Sequence, residues 1–332
     1  MAPAAPGARP GEFEVIARFF APLAKGEAGA LGLTDDAAIL APAAGNEFVV
    51  TVDMLTAGVH FLPDDPPGLV ARKLLRVNLS DLAAMGATPR AYFLALGLPS
   101  SVDVAWFEAF SGGLAADQAA FGIALAGGDT TTTPGPLVLS LTAIGEVPAG
   151  SAIRRSTARA GEDVYVTGTI GDAALALCII DGRLRDLPAA DTAHLIGRYR
   201  LPEPRVAFGP ALRGLASAMI DVSDGLLADL GHICETSGIG AEIDFPQVPL
   251  STAAARLVAG TPALAETVAT GGDDYELLFT APDRAREAIA AAAARVGVRV
   301  ARIGRTIAGG GVRLRDAAGL LIETARAGWR HF

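Results

Sequence analysis

The chain has 332 residues, of which 51% are hydrophobic, and it carries a formal net charge of −9 at pH 7. A chain of this length exceeds what one hydrophobic core usually supports, so we expect two domains. The acidic balance, without a basic stripe, argues against a nucleic-acid partner, and no apolar run reaches the roughly 18 residues of a membrane span.

The N-terminal residues 1–10 are rich in Ala, Pro and Gly and lack the apolar region of a signal peptide. They are predicted to form a disordered tail. The two cysteines, Cys178 and Cys234, lack metal-ligand spacing, which is typical of a reduced, cytoplasmic protein.

Predicted strands and helices alternate over residues 11–148, which indicates an N-terminal α/β domain. A strand over 48–52 is predicted to end at Asp53, and a loop containing Gly58 and His60 follows it. The other predicted elements are helices over 11–20, 69–85 and 102–121 and strands over 92–98, 123–126 and 137–147.

The segment Pro148–Ala160 is rich in Ser, Arg and Ala, and we place the domain boundary there, so that residues 149–332 form a second α/β domain. Its predicted strands cover 163–167, 241–244, 277–280, 298–303 and 312–314, and its predicted helices include 173–180, 192–198, 226–236 and 284–296. The expected fold class is therefore α/β (α+β) with two domains.

Acidic residues recur at the ends of predicted strands, where ligands of α/β sheets gather. They are Asp36 in a turn, Asp53 and Asp129 at strand ends, Asp221 and Asp224 around a strand-to-helix turn, and Asp273 in a second Gly-Gly-Asp sequence. A single Asp after Gly is common in ordinary turns. Because Mg²⁺ takes oxygen ligands and the pattern repeats, we favour a site with several metal ions.

Asp81 lies among small apolar residues in a stretch that begins with the cations Arg72, Lys73 and Arg76. By itself the pattern favours a cap, in which Ser80 or Asp81 begins a short helical turn. Together with the other acids, Asp81 is better interpreted as a metal ligand on a rigid helix, with capping left to Ser80.

Three segments are suited to phosphate. The sequence Gly127-Gly128-Asp129-Thr130 is predicted to expose backbone N–H groups, and Ser223-Asp224-Gly225 opens a helix whose N-terminus favours anions. Arg154 and Arg155 add two cations near the predicted boundary. No Walker A lysine motif, kinase catalytic loop, Gly-x-Ser-x-Gly elbow or activated cysteine is present, so we expect no protein nucleophile. From its position alone, His60 could contact substrate or be an ordinary loop residue.

Four motifs together resemble the thiamine-monophosphate kinases, of the aminoimidazole-ribonucleotide-synthetase-like superfamily. They are Val77-Asn-Leu-Ser-Asp-Leu-Ala-Ala-Met-Gly-Ala, Gly127-Gly-Asp-Thr-Thr, Ile220-Asp-Val-Ser-Asp-Gly-Leu and Gly271-Gly-Asp-Asp-Tyr-Glu-Leu. Each motif alone is shared across the superfamily, whereas the set, which spans nearly the whole chain, is specific.

The resemblance implies ATP-dependent phosphorylation of thiamine monophosphate to thiamine diphosphate with several Mg²⁺ ions. It also implies a homodimer in which the N-terminal domains form a shared barrel, each followed by a larger α/β domain. Carried over by motif, the expected Mg²⁺ ligands are Asp36, Thr51, Asp53, Asp81, Asp129, Asp221 and Asp224. The expected ATP contacts are Gly128, Asp129, Arg155 and Ser223, and the expected contacts to thiamine monophosphate are His60, Asp273 and Trp329.

The chain departs from the family pattern at three positions. Thr34 replaces the glycine of the usual Gly-Asp-Asp turn, and Val52 stands where a hydroxyl residue is common. Asp273 stands where many members have glutamate, which shortens the side chain by one methylene. The nearest rivals are a selenophosphate or aminoimidazole-ribonucleotide synthetase and a non-catalytic nucleotide sensor. No cysteine precedes Cys178, which disfavours the selenophosphate enzyme, and the retained acids disfavour the sensor.

Overall fold

The computed structural model describes residues 11–324 and Gly328. The described chain forms two compact units, one of residues 11–82 and 88–149 and one of residues 83–87 and 150–324. Trp329, a predicted substrate contact, lies outside the described residues.

The first unit is built on a four-stranded sheet in the order β1-β4-β2-β3. Strand β4 pairs antiparallel with β1 and β2, and β2 pairs parallel with β3. Its elements are α1 (Glu12–Val15, continued by a π-helical turn, Ile16–Phe20), β1 (Asn46–Thr56), α2 (Pro67–Ala84), β2 (Thr88–Leu98), α3 (Val104–Phe121), β3 (Ala124–Thr132) and β4 (Val138–Pro148). Both β1 and β3 are edge strands of this sheet.

Two predicted strand ends were wrong. Strand β1 pairs with β4 as far as Thr56, so Asp53 lies inside the strand. Residues Gly127–Thr130 pair with β2 and belong to β3, so the strand predicted to end at residue 126 continues to Thr132. In both cases pairing with a neighbouring strand outweighs the local turn signal of the sequence.

Helix α2 is continuous from Pro67 to Ala84, so the interpretation of Ser80 or Asp81 as a cap is wrong. The hydroxyl of Ser80 is buried and has no hydrogen-bond partner among the described residues. The two arginines of α2 bind Asp117 of α3, a fully buried carboxylate: Arg76 Nε lies 2.7 Å and Arg72 Nε 2.9 Å from its oxygens. These two cations therefore join two helices.

The second unit has a six-stranded sheet in the order β10-β7-β9-β5-β8-β6, antiparallel except for the β10–β7 pair. Its elements are β5 (Asp163–Thr167), α4 (Asp172–Ile180), α5 (Ala189–Arg200), β6 (Ala218–Asp221), α6 (Leu226–Ser237), β7 (Gly240–Asp244), α7 (Thr252–Gly260), α8 (Leu264–Thr270), β8 (Leu277–Ala281), α9 (Arg286–Val296), β9 (Val300–Ile307) and β10 (Gly311–Arg315).

Alternate residues of the central strands enter two separate cores, as the period of a strand requires. Val164 and Leu278 pack in one core with α4, α6 and α8, whereas Tyr165 and Phe279 pack in the other with α9. The sheet is thus covered on both faces at β5, β6 and β8, in which every residue is buried. Cys178 and Cys234 are buried free thiols in this unit. Among the residues described, no helix has both the length and the apolar character needed to cross a bilayer.

Candidate active site

The first group of predicted ligands lies where β1 faces α2. Thr51 and Asp53 are two residues apart and share one face of β1. The Thr51 hydroxyl donates a hydrogen bond of 2.5 Å to Oδ2 of Asp81 on α2. The structure therefore brings three of the predicted metal ligands together in a single chain.

Asp53 and Asp81 form a pair of like charges. Burial, together with the negative charge of Asp81, raises the pKa of Asp53 to about 7. Neither of these two causes is a neighbouring cation, and Arg72 and Arg76 of α2 bind Asp117. Two carboxylates and a hydroxyl are hard oxygen donors, so the cluster fits a divalent cation such as Mg²⁺.

The loop after β1 holds His60 in a fixed orientation. The backbone N–H of Thr56 donates to Nδ1 of the His60 ring at 3.1 Å, so a neutral ring carries its proton on Nε2. The ammonium of Lys73 on α2 is buried and donates to the carbonyl oxygen of His60 at 3.0 Å. The sequence identified Lys73 only as one of the cations of this stretch, and its contact with the loop of His60 was not predicted.

A cavity of about 520 Å³ lies against the free edge of β3. Its wall brings Asp36 and Asp129 together with apolar side chains, among them Phe20 and Leu125. A Cβ at Gly128 would lie only 2.0 Å from the carbonyl oxygen of Leu94, so β3 approaches β2 closely only because this residue is glycine. The outer N–H groups of an edge strand have no partner strand, so the segment can still offer donors to a phosphate.

The group around Asp53 and the group around Asp129 lie on the two opposite edge strands of the sheet, β1 and β3. Asp53 pairs with Leu141, Leu141 with Leu94, and Leu94 with Gly128. Three interstrand steps separate the edges by about 14 Å. One protomer therefore does not bring Asp129 next to Asp53 and Asp81.

In the second unit, Asp221 is the buried last residue of β6, and Ser223 and Asp224 follow it in the turn to α6. The prediction that the backbone N–H groups at this helix N-terminus are open to an anion is wrong. Asp229 Oδ2 accepts the N–H groups of Ser223, Asp224 and Gly225 at 3.0, 3.1 and 3.0 Å, so these donors are already used. Burial raises the pKa of Asp229 to about 7 against the effect of these bonds, and the charge of Asp224 adds to the rise.

Asp229 also belongs to a group of three possible ligands. One oxygen each of Asp224 and Asp229 and one ring nitrogen of His232 lie within 4.8 Å of one another. Of the three, only Asp224 was predicted as a ligand. The other two lie one and two turns into α6, and that helical spacing was the available signal.

Asp273 lies in the segment between α8 and β8, and this segment packs on the turn after β6. The N–H of Asp273 donates to the Ser223 carbonyl at 2.9 Å, and that of Tyr275 donates to Val222 at 2.8 Å. The second unit thus brings Asp273 next to Ser223 and Asp224. Arg155 lies elsewhere, because its carbonyl accepts from Ser237 at the far end of α6, and a 12-residue helix spans about 18 Å.

The three departures from the family pattern have structural explanations. Thr34 has a φ of −111°, so its backbone does not require glycine. Val52 points to the opposite face of β1 from Thr51 and Asp53 and is 60% exposed, so its side chain does not belong to their cluster. Asp273 has a φ of +70°, a conformation that aspartate adopts more readily than most residues with a Cβ.

Comparison with known proteins identifies the family. Residues 34–147 match the N-terminal domain, and residues 159–317 the C-terminal domain, of the AIR synthase related proteins. The chain is 46% identical over 333 residues to the thiamine-monophosphate kinase of Caulobacter vibrioides, covering 99% of this chain and 93% of that protein.

Solved structures agree in fold over nearly the whole chain. The crystal structure of thiamine-monophosphate kinase from Stenotrophomonas maltophilia K279a superposes with a TM-score of 0.81 at 44% identity, covering 90% of this chain and 96% of the other. AaThiL complexed with AMPPCP and TMP superposes with a TM-score of 0.77 at 29% identity, covering 92% and 98%. The chain therefore belongs to the AIR synthase related proteins and, among them, to the thiamine-monophosphate kinase family.

Proposed function

We propose that this protein transfers the γ-phosphoryl group of ATP to thiamine monophosphate and so forms thiamine diphosphate and ADP. The observation that carries the proposal is the kinship over 99% of the chain to a thiamine-monophosphate kinase. A relative of similar fold is complexed with TMP and with AMPPCP, an analogue of ATP, and this combination corresponds to the two substrates of the proposed reaction. Both reduced cysteines and the acidic composition suit a cytoplasmic enzyme.

The acids that the two units present are the proposed Mg²⁺ ligands. In the first unit these are Asp36, Thr51, Asp53, Asp81 and Asp129, and in the second they are Asp221 and Asp224. Bound Mg²⁺ would offset the repulsion between two polyanionic substrates and the charge that develops on the transferred group. Burial and the nearby charge of Asp81, which together raise the pKa of the Asp53 carboxyl to about 7, are the observation in this structure that fits such ions.

The transfer is proposed to be direct and in line. An anionic phosphate oxygen of thiamine monophosphate forms the new bond to the γ-phosphorus, while the bond from that phosphorus to the β–γ bridging oxygen breaks. ADP leaves with the electron pair. The acceptor is already anionic near neutral pH, so the reaction needs no protein nucleophile and no strong base.

The remaining predicted residues position the substrates. Gly128 lies on the edge strand β3, and its backbone is proposed to contact ATP. Asp129, Ser223 and Arg155 are the other proposed contacts to ATP. His60 is proposed to donate from Nε2 to the substrate phosphate, since its Nδ1 is held by Thr56. Asp273 is proposed to contact thiamine monophosphate, and Trp329 remains a prediction.

We also propose that the protein is a homodimer whose N-terminal domains form a shared barrel. Val50, Val52 and Met54 on edge strand β1 are 57%, 60% and 58% exposed, an apolar face that a second copy would bury. Because Asp53 and Asp129 lie on opposite edges of one sheet, a partner sheet at an edge would complete a set that one protomer divides. Light scattering should give twice the chain mass at micromolar concentration, and a monomer under assay conditions would contradict this proposal.

The test of the reaction is a coupled assay of ADP release with and without thiamine monophosphate. We expect ADP release to require thiamine monophosphate. Release that depends instead on formylglycinamidine ribonucleotide or on selenide would favour one of the synthetase rivals, and no ATP turnover with any of them would favour a nucleotide sensor.

Direct transfer has a separate test. With ATP that carries a chiral γ-phosphoryl group, a single in-line displacement inverts the configuration at phosphorus. Retention would indicate two displacements and a covalent enzyme intermediate.

A further inference from the structure

The segment that carries Asp273 has an unusual backbone. Asp273 and Tyr275 both adopt left-handed conformations, with φ of +70° and +51°, although neither is glycine. A Cβ at Gly272 would lie 2.1 Å from the Ser223 carbonyl oxygen, so the segment presses directly on the turn after β6. Such a conformation persists only where the surrounding contacts determine it.

The residue that follows Tyr275 is Glu276, which is fully buried. Arg205 donates to both of its oxygens, Nε to Oε2 and Nη2 to Oε1, each at 2.6 Å. Arg198 Nη2 donates to Oε1 at 2.9 Å, and the Thr167 hydroxyl donates to Oε2 at 2.6 Å. A carboxylate with a bidentate arginine and two further donors is held in position and orientation.

Arg198 also contacts the backbone of Asp274. Arg198 Nη2 also donates to the carbonyl oxygen of Asp274 at 3.4 Å, and the Asp274 carboxyl accepts the N–H of Gly171 at 2.8 Å. The clamp of Arg198, Arg205 and Glu276 therefore fixes the end of a segment whose other members bond to Val222 and Ser223.

We infer that Arg198 and Arg205, acting through Glu276, are positioning residues that hold Asp273 where it meets thiamine monophosphate. This inference rests on the proposed function, because it assigns the purpose of the clamp to substrate recognition. None of the three side chains needs to touch the substrate. The clamp maintains the left-handed turn that aims the Asp273 carboxylate.

The test replaces Arg205 by lysine, which keeps the charge and loses the bidentate geometry. We expect Arg205→Lys to raise the KM for thiamine monophosphate by about tenfold and to leave the KM for ATP within about twofold. Calorimetric titration with thiamine monophosphate in the presence of AMPPCP should show the same weakening. Arg198→Lys removes the longer bonds, of 2.9 Å to Glu276 and 3.4 Å to Asp274, and is the milder second variant if Arg205→Lys fails to fold.

The matched control is Arg286→Lys. Arg286 makes an equivalent bidentate pair with the buried Asp163, at 2.6 and 3.0 Å, at the opposite end of β5 from Thr167. A general loss of stability would affect this variant as well, whereas a positioning role predicts an unchanged KM for thiamine monophosphate.

A double-mutant cycle separates action through Asp273 from an independent effect. We expect Arg205→Lys to add no further rise in KM when Asp273 is already alanine. Additive effects, or an unchanged KM in Arg205→Lys, would overturn the inference while the wild-type activity still supported the proposed function. A wild-type protein without ADP release in the presence of thiamine monophosphate would overturn both.

Discussion

The two Gly-Gly-Asp sequences of this chain form different structures. Gly127-Gly128-Asp129 lies in edge strand β3, where the glycine permits close pairing and the aspartate remains exposed. Gly271-Gly272-Asp273 lies in a left-handed turn that packs on Ser223, next to the buried Asp274 and Glu276. We therefore expect the exposed Asp129 to be available to a cation, and the buried Glu276, which binds Arg198 and Arg205, to hold the backbone beside Asp273.

The largest expected effect is a loss of activity when a proposed metal ligand is removed. Asp129→Ala, like Asp53→Ala, should lower kcat by about a thousandfold, because an anionic ligand for the cation that stabilises the transferred group is lost. The circular dichroism spectrum and the midpoint of urea unfolding should remain those of the wild type, since Asp129 is exposed. Asp64→Ala, at another exposed acid, is the control and should keep full activity. Near-normal turnover in both site variants would refute the metal-site assignment.

The next effect concerns the stability of the region that follows Gly271-Gly272-Asp273. Glu276→Gln leaves two nearly buried guanidinium groups without their counter-charge, so the free energy of unfolding should fall by about 3–5 kcal/mol. Asp129→Asn in the first sequence should change it by less than about 0.5 kcal/mol. Urea unfolding measures both, and equal losses would remove the distinction between the two sequences.

The glycines provide a finer comparison. In Gly128→Ala and Gly272→Ala, the new methyl group would meet a backbone carbonyl oxygen at 2.0 and 2.1 Å, and we expect each to cost about 2 kcal/mol of stability. Their kinetic effects should differ: Gly128→Ala should raise mainly the KM for ATP, and Gly272→Ala mainly that for thiamine monophosphate. The same kinetic change in both variants would contradict the separate assignments.

The last effect is a dependence of stability on pH. Burial raises the pKa of Asp274 well above 3.8 against the Gly171 N–H bond, and the charge of Asp172 adds to the rise. The folded state therefore keeps a proton that the unfolded chain releases, and wild-type stability decreases with pH from about 4 up to the folded pKa, by at most about 1.4 kcal/mol per pH unit. Asp274→Asn has no such proton, so unfolding at pH 5 to 8 should show its stability rising relative to the wild type.

Asp163 is the control for that dependence. Burial favours a higher pKa for Asp163, but the hydrogen bond and charge of Arg286, with Arg302 and Arg305, lower it on balance. Its stabilising contribution is present above the ordinary pKa and is lost only as pH falls below about 4. Asp163→Asn should therefore show a constant difference from the wild type between pH 5 and 8. A rising difference in this variant too would show that the effect is not specific to Asp274.

The sequence predicted the class of fold and most helices and strands, because their apolar periodicity is local. It could not predict where strands end, since Met54 to Thr56 and Gly127 to Thr130 are ordered by pairing with distant strands. The sequence pointed to Asp53 and Asp81 as candidate ligands, but the bonds from Lys73 to His60 and from the backbone to Asp229 depend on groups that meet only in the folded chain. The clamp on Glu276 joins residues separated by 71 and 78 positions, which no spacing rule connects.

The most direct test of the central claim follows the phosphoryl group itself. The wild-type protein is incubated with Mg²⁺, thiamine monophosphate and ATP labelled in the γ-phosphate, and the products are separated. We expect the label in thiamine diphosphate in an amount equal to the ADP formed. Label released as inorganic phosphate, with thiamine monophosphate unchanged, would contradict the claim.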